Sequence, residues 1–213
     1  MKKLILLVVV TLFVTGTFAQ SDKYIASMKS NIVAMDTAFK NPANLLDLAN
    51  KFERIGTAEK NQWLAYYYAA LCQVNYTYME SDKTKVDAIA DKATELIDKA
   101  DVLQPNNSEI SCIKSMIASS HMMVNPMQRY MEYSTEINSF MEAAMQQDPT
   151  NPRPEYLKGQ ALKYTPEQFG GGCGTAKPVL ESALDKFNKF KTASDIHPNW
   201  GKQRVELLIS ECK

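Results

Sequence analysis

The chain has 213 residues, 45% of them hydrophobic, with 24 Lys plus Arg balanced by 24 Asp plus Glu. An even charge with no basic block excludes sequence-independent nucleic-acid binding, which needs a concentrated positive surface. The length suffices for one sizeable core or one short stack of repeats.

Residues 1–19 read as a secretory signal peptide. Lys2 and Lys3 form a positive start, Leu4 to Val14 an apolar run broken only by Thr11, and Thr17-Phe18-Ala19 a small-x-small cleavage site. The run is too short to span a bilayer. Gln20, not Cys, follows the cut, so no lipoprotein signal is present. Residues 20–213 are expected to form one exported domain, periplasmic or secreted, without stable membrane insertion.

Tyr24, Ile25, Met28, Ile32, Met35 and Phe39 recur at steps of three and four, which predicts a helix over 21–39. Asn41-Pro42 breaks it. Leu45, Leu46, Leu48, Phe52 and Ile55 predict a second helix, ended by Gly56. A long apolar helix over 58–79 carries Trp63, Leu64, Tyr67, Leu71, Val74 and Tyr78. Ser81-Asp82 is a cap-type restart, and Val86, Ile89, Ala93, Leu96, Ile97, Ala100 and Leu103 mark a fourth helix up to Pro105. Ser108 caps a fifth through about Val124. Asn125-Pro126 opens a sixth, which stops before Pro149. A shorter seventh spans 152–164, and a glycine-rich loop covers 165–174. An eighth follows over 176–191, and the ninth lies after Pro198, with Trp200, Val205, Leu208, Ile209 and Cys212. No stretch alternates like a strand.

Three of these helices share their punctuation. Ala100 precedes Pro105, Ala144 precedes Pro149 and Ala193 precedes Pro198, each by five positions, and Asn106, Asn151 and Asn199 lie just after the prolines. A small residue in the last turn, then proline, then a polar restart is how stacked helical hairpins are separated. Counting from Pro149, a unit beginning at Pro152 resembles a tetratricopeptide repeat, and that resemblance puts Gly159 at the small position of its first helix and Leu162 at the apolar one. Counting from Pro105 gives Ser115 and Ala118.

On these residues the chain resembles the tetratricopeptide repeat family over roughly 58–213, most closely over 140–200. The proline spacings of 44 and 49 residues exceed that family's usual 34, so the repeats are elongated and degenerate. The resemblance implies an all-α fold, a right-handed α-α solenoid of about four hairpins plus a C-terminal capping helix. It also implies a concave face lined by first-helix side chains: Trp63, Tyr66, Gln73, Met116, Arg153, Tyr156, Gln160, Lys163 and Tyr164. The alternative for Trp63 and Tyr66 is a place in the core between helices.

The cysteines are Cys72, Cys112, Cys173 and Cys212, with no Cys-x-x-Cys pair to suggest zinc or thioredoxin-type chemistry. Cys173 lies just before the eighth helix and Cys212 at the end of the ninth. Antiparallel neighbours bring those points together, so a Cys173–Cys212 disulfide is expected. A Cys72–Cys112 bridge follows from the parallel first helices the resemblance implies. Buried free thiols are the alternative for both pairs.

Nothing points to catalysis or to a cofactor. The two histidines, His121 and His197, sit in no nucleophile or metal motif, and His197-Pro198 reads as a turn. The loop Phe169-Gly170-Gly171-Gly172 has no strand before it and no Gly-Lys-Ser/Thr after it, against a phosphate cradle. Met116, Met122, Met123, Met127 and Met131 suit core or groove lining better than a metal. The expected function is a non-enzymatic module holding a protein or peptide partner in the concave face. The alternative is a small-molecule or lipid binder enclosing an apolar, Met-lined cavity.

Overall fold

A computed structural model describes residues 22–212, so the signal-peptide reading lies outside the described residues. Among them are nine α-helices, one short 3-10 turn and no strand. In order they are α1 (Asp22–Ala38), α2 (Ala43–Glu59), α3 (Trp63–Met79), α4 (Lys83–Leu103), α5 (Ser108–Val124), α6 (Pro126–Gln147), α7 (Arg153–Tyr164), α8 (Cys173–Lys189) and α9 (Lys202–Glu211). None is long and apolar enough to cross a membrane.

The central helix is α3. Its 17 residues carry no charge, so no face prefers water, and it is buried almost all round against α2, α4 and α5. Neighbours approach closely through small residues: Ala90, Ala93 and Ala100 of α4 are sealed beside Leu96 and Ile97. A first core joins α1 to α5. A second joins Tyr156, Leu180, Phe187, Val205 and Leu208 of α7 to α9, and Leu157 and Trp200 touch both.

The proline punctuation operates twice. The buried Ala100 and Ala144 carbonyls accept hydrogen bonds from the Gln104 and Asp148 backbone amides, closing α4 and α6 before Pro105 and Pro149. Restarts follow: Asn107 Oδ1 accepts from the Glu109 and Ile110 amides, and Asn151 Oδ1 from that of Arg153. The third site differs. Helix α8 stops at Lys189, so Ala193 and Pro198 lie in an irregular segment over 190–201. That segment folds back across the molecule. Ile196 joins the first core, Asp195 pairs with Lys29 of α1, and Trp200 Nε1 donates to Tyr67 Oη at 2.8 Å. Trp200 therefore precedes α9 rather than belonging to it.

Two other expectations change. Gly56 does not end α2, which runs on to Glu59. The glycine serves close approach instead: a Cβ there would lie 2.9 Å from the Tyr66 ring. Cys173 starts α8 and is bonded to Cys212, with Cα atoms 5.1 Å apart. Cys72 and Cys112 form no second bridge. Both are free and buried, and burial pushes both thiols far above the usual range.

Candidate functional site

The polar restarts gather at one edge of the molecule. The start of α3, the turns over 104–109 and 147–151, and the segment from Lys186 to Pro198 enclose a cleft of about 840 Å³. That volume lies in the range of small-molecule sites.

The deepest polar group at this edge is Glu109. Its carboxylate accepts from Arg153 Nη1 at 2.8 Å, Asn151 Nδ2 at 2.9 Å and Tyr67 Oη at 3.1 Å. Burial pushes the Glu109 carboxyl upward, and the Arg153 charge opposes this. Arg153 is wholly buried below the floor, its guanidinium 5.0 Å from the Trp200 ring centre, 5.2 Å from Phe190 and 5.8 Å from Phe187. Its Nε and Nη2 have no acceptor among the described residues, and these ring faces are what surrounds them. Ser108 Oγ donates to the Ala144 carbonyl and accepts from Asn151 at 2.9 Å, tying two turns together. The floor is therefore fixed, and its one carboxylate is neutralised from within.

Trp63, Phe190, Pro149 and Pro198 supply apolar wall. His197 stands beside Trp63, ring centres 6.0 Å apart and nearly perpendicular. Its Nδ1 lies 2.7 Å from Ser194 Oγ, and Nε2 has no partner among the described residues. Burial lowers the His197 pKa, which disfavours the charged imidazolium. Three lysines mark the rim. Lys186 is engaged by Glu155 at 2.6 Å and the Pro149 carbonyl at 2.9 Å. Lys189 and Lys191 are exposed and make no ion pair among the described residues. The other carboxylate there, Asp148, caps its own turn by accepting from Thr150. A mostly polar cleft with an aromatic and proline wall, one imidazole and two uncommitted cations at its rim suits an anion that also carries apolar surface.

The residues expected to line a concave groove do not meet on one open surface. Trp63 lines the cleft, and Arg153 is sealed beneath it. Tyr66 packs on Gly56, with Lys99 Nζ 5.6 Å from its ring centre. Gln73 and Met116 are buried. Tyr156 packs edge-on against Trp200 at 6.1 Å, and Gln160 is partly covered. Lys163 pairs with Glu211, and Tyr164 Oη accepts from Arg204 Nη2 at 2.8 Å. The returning segment and α9 pack over Tyr156 and Lys163, while Tyr164 stays exposed. Sequence reasoning passed over His197 and Glu109 as site residues, although each lies within two residues of a restart it had marked.

The methionines sit elsewhere. Met127 and Met131 of α6 are 93% and 82% exposed. His121 is held by Asp87 at 2.9 Å and Asp91 at 3.6 Å. No group of three or more His, Cys, Asp or Glu able to hold a metal ion occurs among the described residues.

No protein-family model matches the chain, and no curated relative matches it. Among solved structures, it is similar to the HusA haemophore from Porphyromonas gingivalis. The TM-score is 0.80 and the identity 32%, over 92% of this chain and 95% of that one. This likeness overturns the expected protein or peptide partner and the scaffold role drawn from the repeat resemblance, because a haemophore is named for a small molecule.

Proposed function

Because the chain belongs to the family of the HusA haemophore, we propose that it binds haem or a closely related tetrapyrrole in the cleft between Trp63 and Lys191. The observation that carries this reading is the likeness across nine-tenths of both chains at 32% identity. The cleft supports it independently. Trp63 and Phe190 offer aromatic surface to a flat macrocycle, and Lys189 and Lys191 offer charge to its carboxylates. A carrier role fits the deep carboxylate of Glu109, which is held by three donors and so is committed within the floor. The disulfide and the signal-like start support export. The succession of contacts from α3 to α5, α5 to α7 and α7 to α9 supports a short solenoid-like stack forming one domain over 20–213.

Titration of purified residues 20–213 with haemin tests the reading, following the Soret band and tryptophan fluorescence. A saturable complex of one haemin per chain is expected, with quenching of Trp63. The double substitution Lys189→Glu, Lys191→Glu is expected to weaken it about tenfold, since each charge-assisted bond to a carboxylate is worth roughly 1.5–3 kcal/mol when buried and less at a rim. Absence of saturable binding by the wild-type chain would remove the proposal.

A further inference from the structure

We propose that Arg153 is a buried anchor for one carboxylate of the bound ligand, reached when the Phe190 ring swings aside. This rests on the cleft being the ligand site. A guanidinium is planar and presents its N–H groups along fixed edges. Nη1 is engaged by Glu109 Oε1 at 2.8 Å. Nε and Nη2 form another edge, which is buried and has no acceptor among the described residues. Two N–H groups side by side match a carboxylate, which accepts from both at once. The rings around Arg153 answer its charge, but they offer no lone pair in the plane of those N–H groups. A buried donor left unmet is costly, and native proteins leave few of them. A ligand oxygen at this edge satisfies both groups.

The way in is short. Glu109 and Asn151 line the cleft, and Arg153 Nη1 and Asn151 Nδ2 donate to the same Glu109 oxygen, so the guanidinium lies one side chain below the floor. Of the three rings against it, Trp200 is held by its hydrogen bond to Tyr67, and Phe187 is buried in the second core. Phe190 is the one placed to yield. It is half-buried, it leaves the end of α8 in extended backbone, and it lines the cleft. Lys189 and Lys191 flank it in the chain, both exposed and neither in an ion pair among the described residues. Their charge draws an anion to this part of the rim. With Phe190 aside, the guanidinium bridges two carboxylates: that of Glu109 on Nη1 and that of the ligand on Nε and Nη2.

The test compares protoporphyrin IX, a diamagnetic tetrapyrrole with free carboxylates, with its dimethyl ester. The wild-type chain is expected to bind the diacid about tenfold or more tightly than the ester, because the ester cannot form the charge-assisted pair. The double substitution Lys189→Ala, Lys191→Ala should keep a preference of about fivefold, since a buried bidentate pair outweighs exposed rim charges. Phe190→Ala removes wall as well as cover, so it should weaken the ester while widening the preference for the diacid. The anchor itself is read in the nitrogen NMR spectrum of the unaltered chain. The Arg153 Nε–H signal is assigned by replacing Arg54, Arg129 and Arg204 with Lys one at a time. It should shift on adding the diacid and stay in place on adding the ester. Equal binding of diacid and ester, or a bound diacid that leaves the Arg153 signal unmoved, overturns the anchor and leaves the cleft reading standing. A preference that vanishes with the two lysines assigns the carboxylate to the rim and overturns the anchor as well. A wild-type chain that binds neither compound overturns the cleft reading itself.

Discussion

At the scale of single residues, the ionic groups divide into those that hold helices together and those left for a ligand. Asp87 of α4 is of the first kind. Arg129 of α6 donates to it from both Nη atoms, at 2.6 and 2.8 Å, and His121 of α5 lies 2.9 Å away on a ring stacked against Tyr133. The Arg129 hydrogen bonds hold the Asp87 carboxyl at about 2, against partial burial, with His121 adding to the effect. An unfolded aspartate titrates near 3.9, roughly two units higher. The folded form is therefore favoured while Asp87 is ionised. That contribution is complete above about pH 4 and is lost as the pH falls toward 2. Urea midpoints measured from pH 5 to pH 2 should fall more steeply for the wild type than for Asp87→Asn. Parallel curves would show that the clasp adds nothing. The effect should be modest, because the pair is partly exposed and water screens it. Lys189 and Lys191 are of the second kind: cations beside the cleft with no ion-pair partner in the described chain.

At the scale of elements, most of the fold is legible in the sequence because the signals are local. Apolar residues at steps of three and four mark every helix, and Asn107, Asn151 and Asp82 cap the restarts where their chemistry allows. What fails is set by distant neighbours. Gly56 looks like a helix stop, but it is kept small by the Tyr66 ring of the next helix. Ala193-Pro198 repeats the spacing of the other two junctions. Yet Phe190 leaves α8 in extended backbone, and Ile196 and Trp200 find burial across the molecule. The site escaped for the same reason: His197 does sit in a turn, and no single-sequence signal says which other turns it faces. Gly159 is the case in which local counting and tertiary packing agree. A Cβ there would lie 2.7 Å from the Leu180 side chain and 3.3 Å from the Leu180 amide, so α7 and α8 cross at that point. Gly159→Ala gains helix propensity of about 1 kcal/mol in isolation. Overpacking costs typically 1–3 kcal/mol and should win, since backbone as well as side chain must give way. A net loss of about 1 kcal/mol in urea unfolding is expected; a variant more stable than the wild type would show that Leu180 moves aside freely.

At the scale of the whole molecule, the disulfide and the cleft form one system. The Cys173–Cys212 bond closes a stretch of 39 positions that contains α8, the returning segment and α9. Lys189, Phe190, Lys191 and His197 all lie inside that stretch. Its far side is anchored by the Trp200–Tyr67 hydrogen bond, the Lys29–Asp195 pair and buried Ile196. Its near side depends on α9, a helix of ten residues packed mainly against α8 and, to a lesser extent, α7. So short a helix has little stability of its own. Loop closure of this length is worth about 4 kcal/mol on a chain-entropy account. Reductant acts on this bond selectively, because Cys72 and Cys112 are already thiols. Reduction, or Cys212→Ser, is thus expected to lower the melting temperature and to speed the exchange of α9 amides. It should also accelerate release of bound haemin, because one wall of the cleft belongs to the loosened stretch. Saturating haemin should return part of the lost stability, about 2.7 kcal/mol at a free concentration of 100 times Kd. The informative measurement is the haemin release rate with and without reductant, read beside amide exchange. If α9 loosens and the release rate stays the same, the far-side anchors alone define the wall. If both change together, the covalent clip at the chain's end is what keeps the site at its opposite edge in shape.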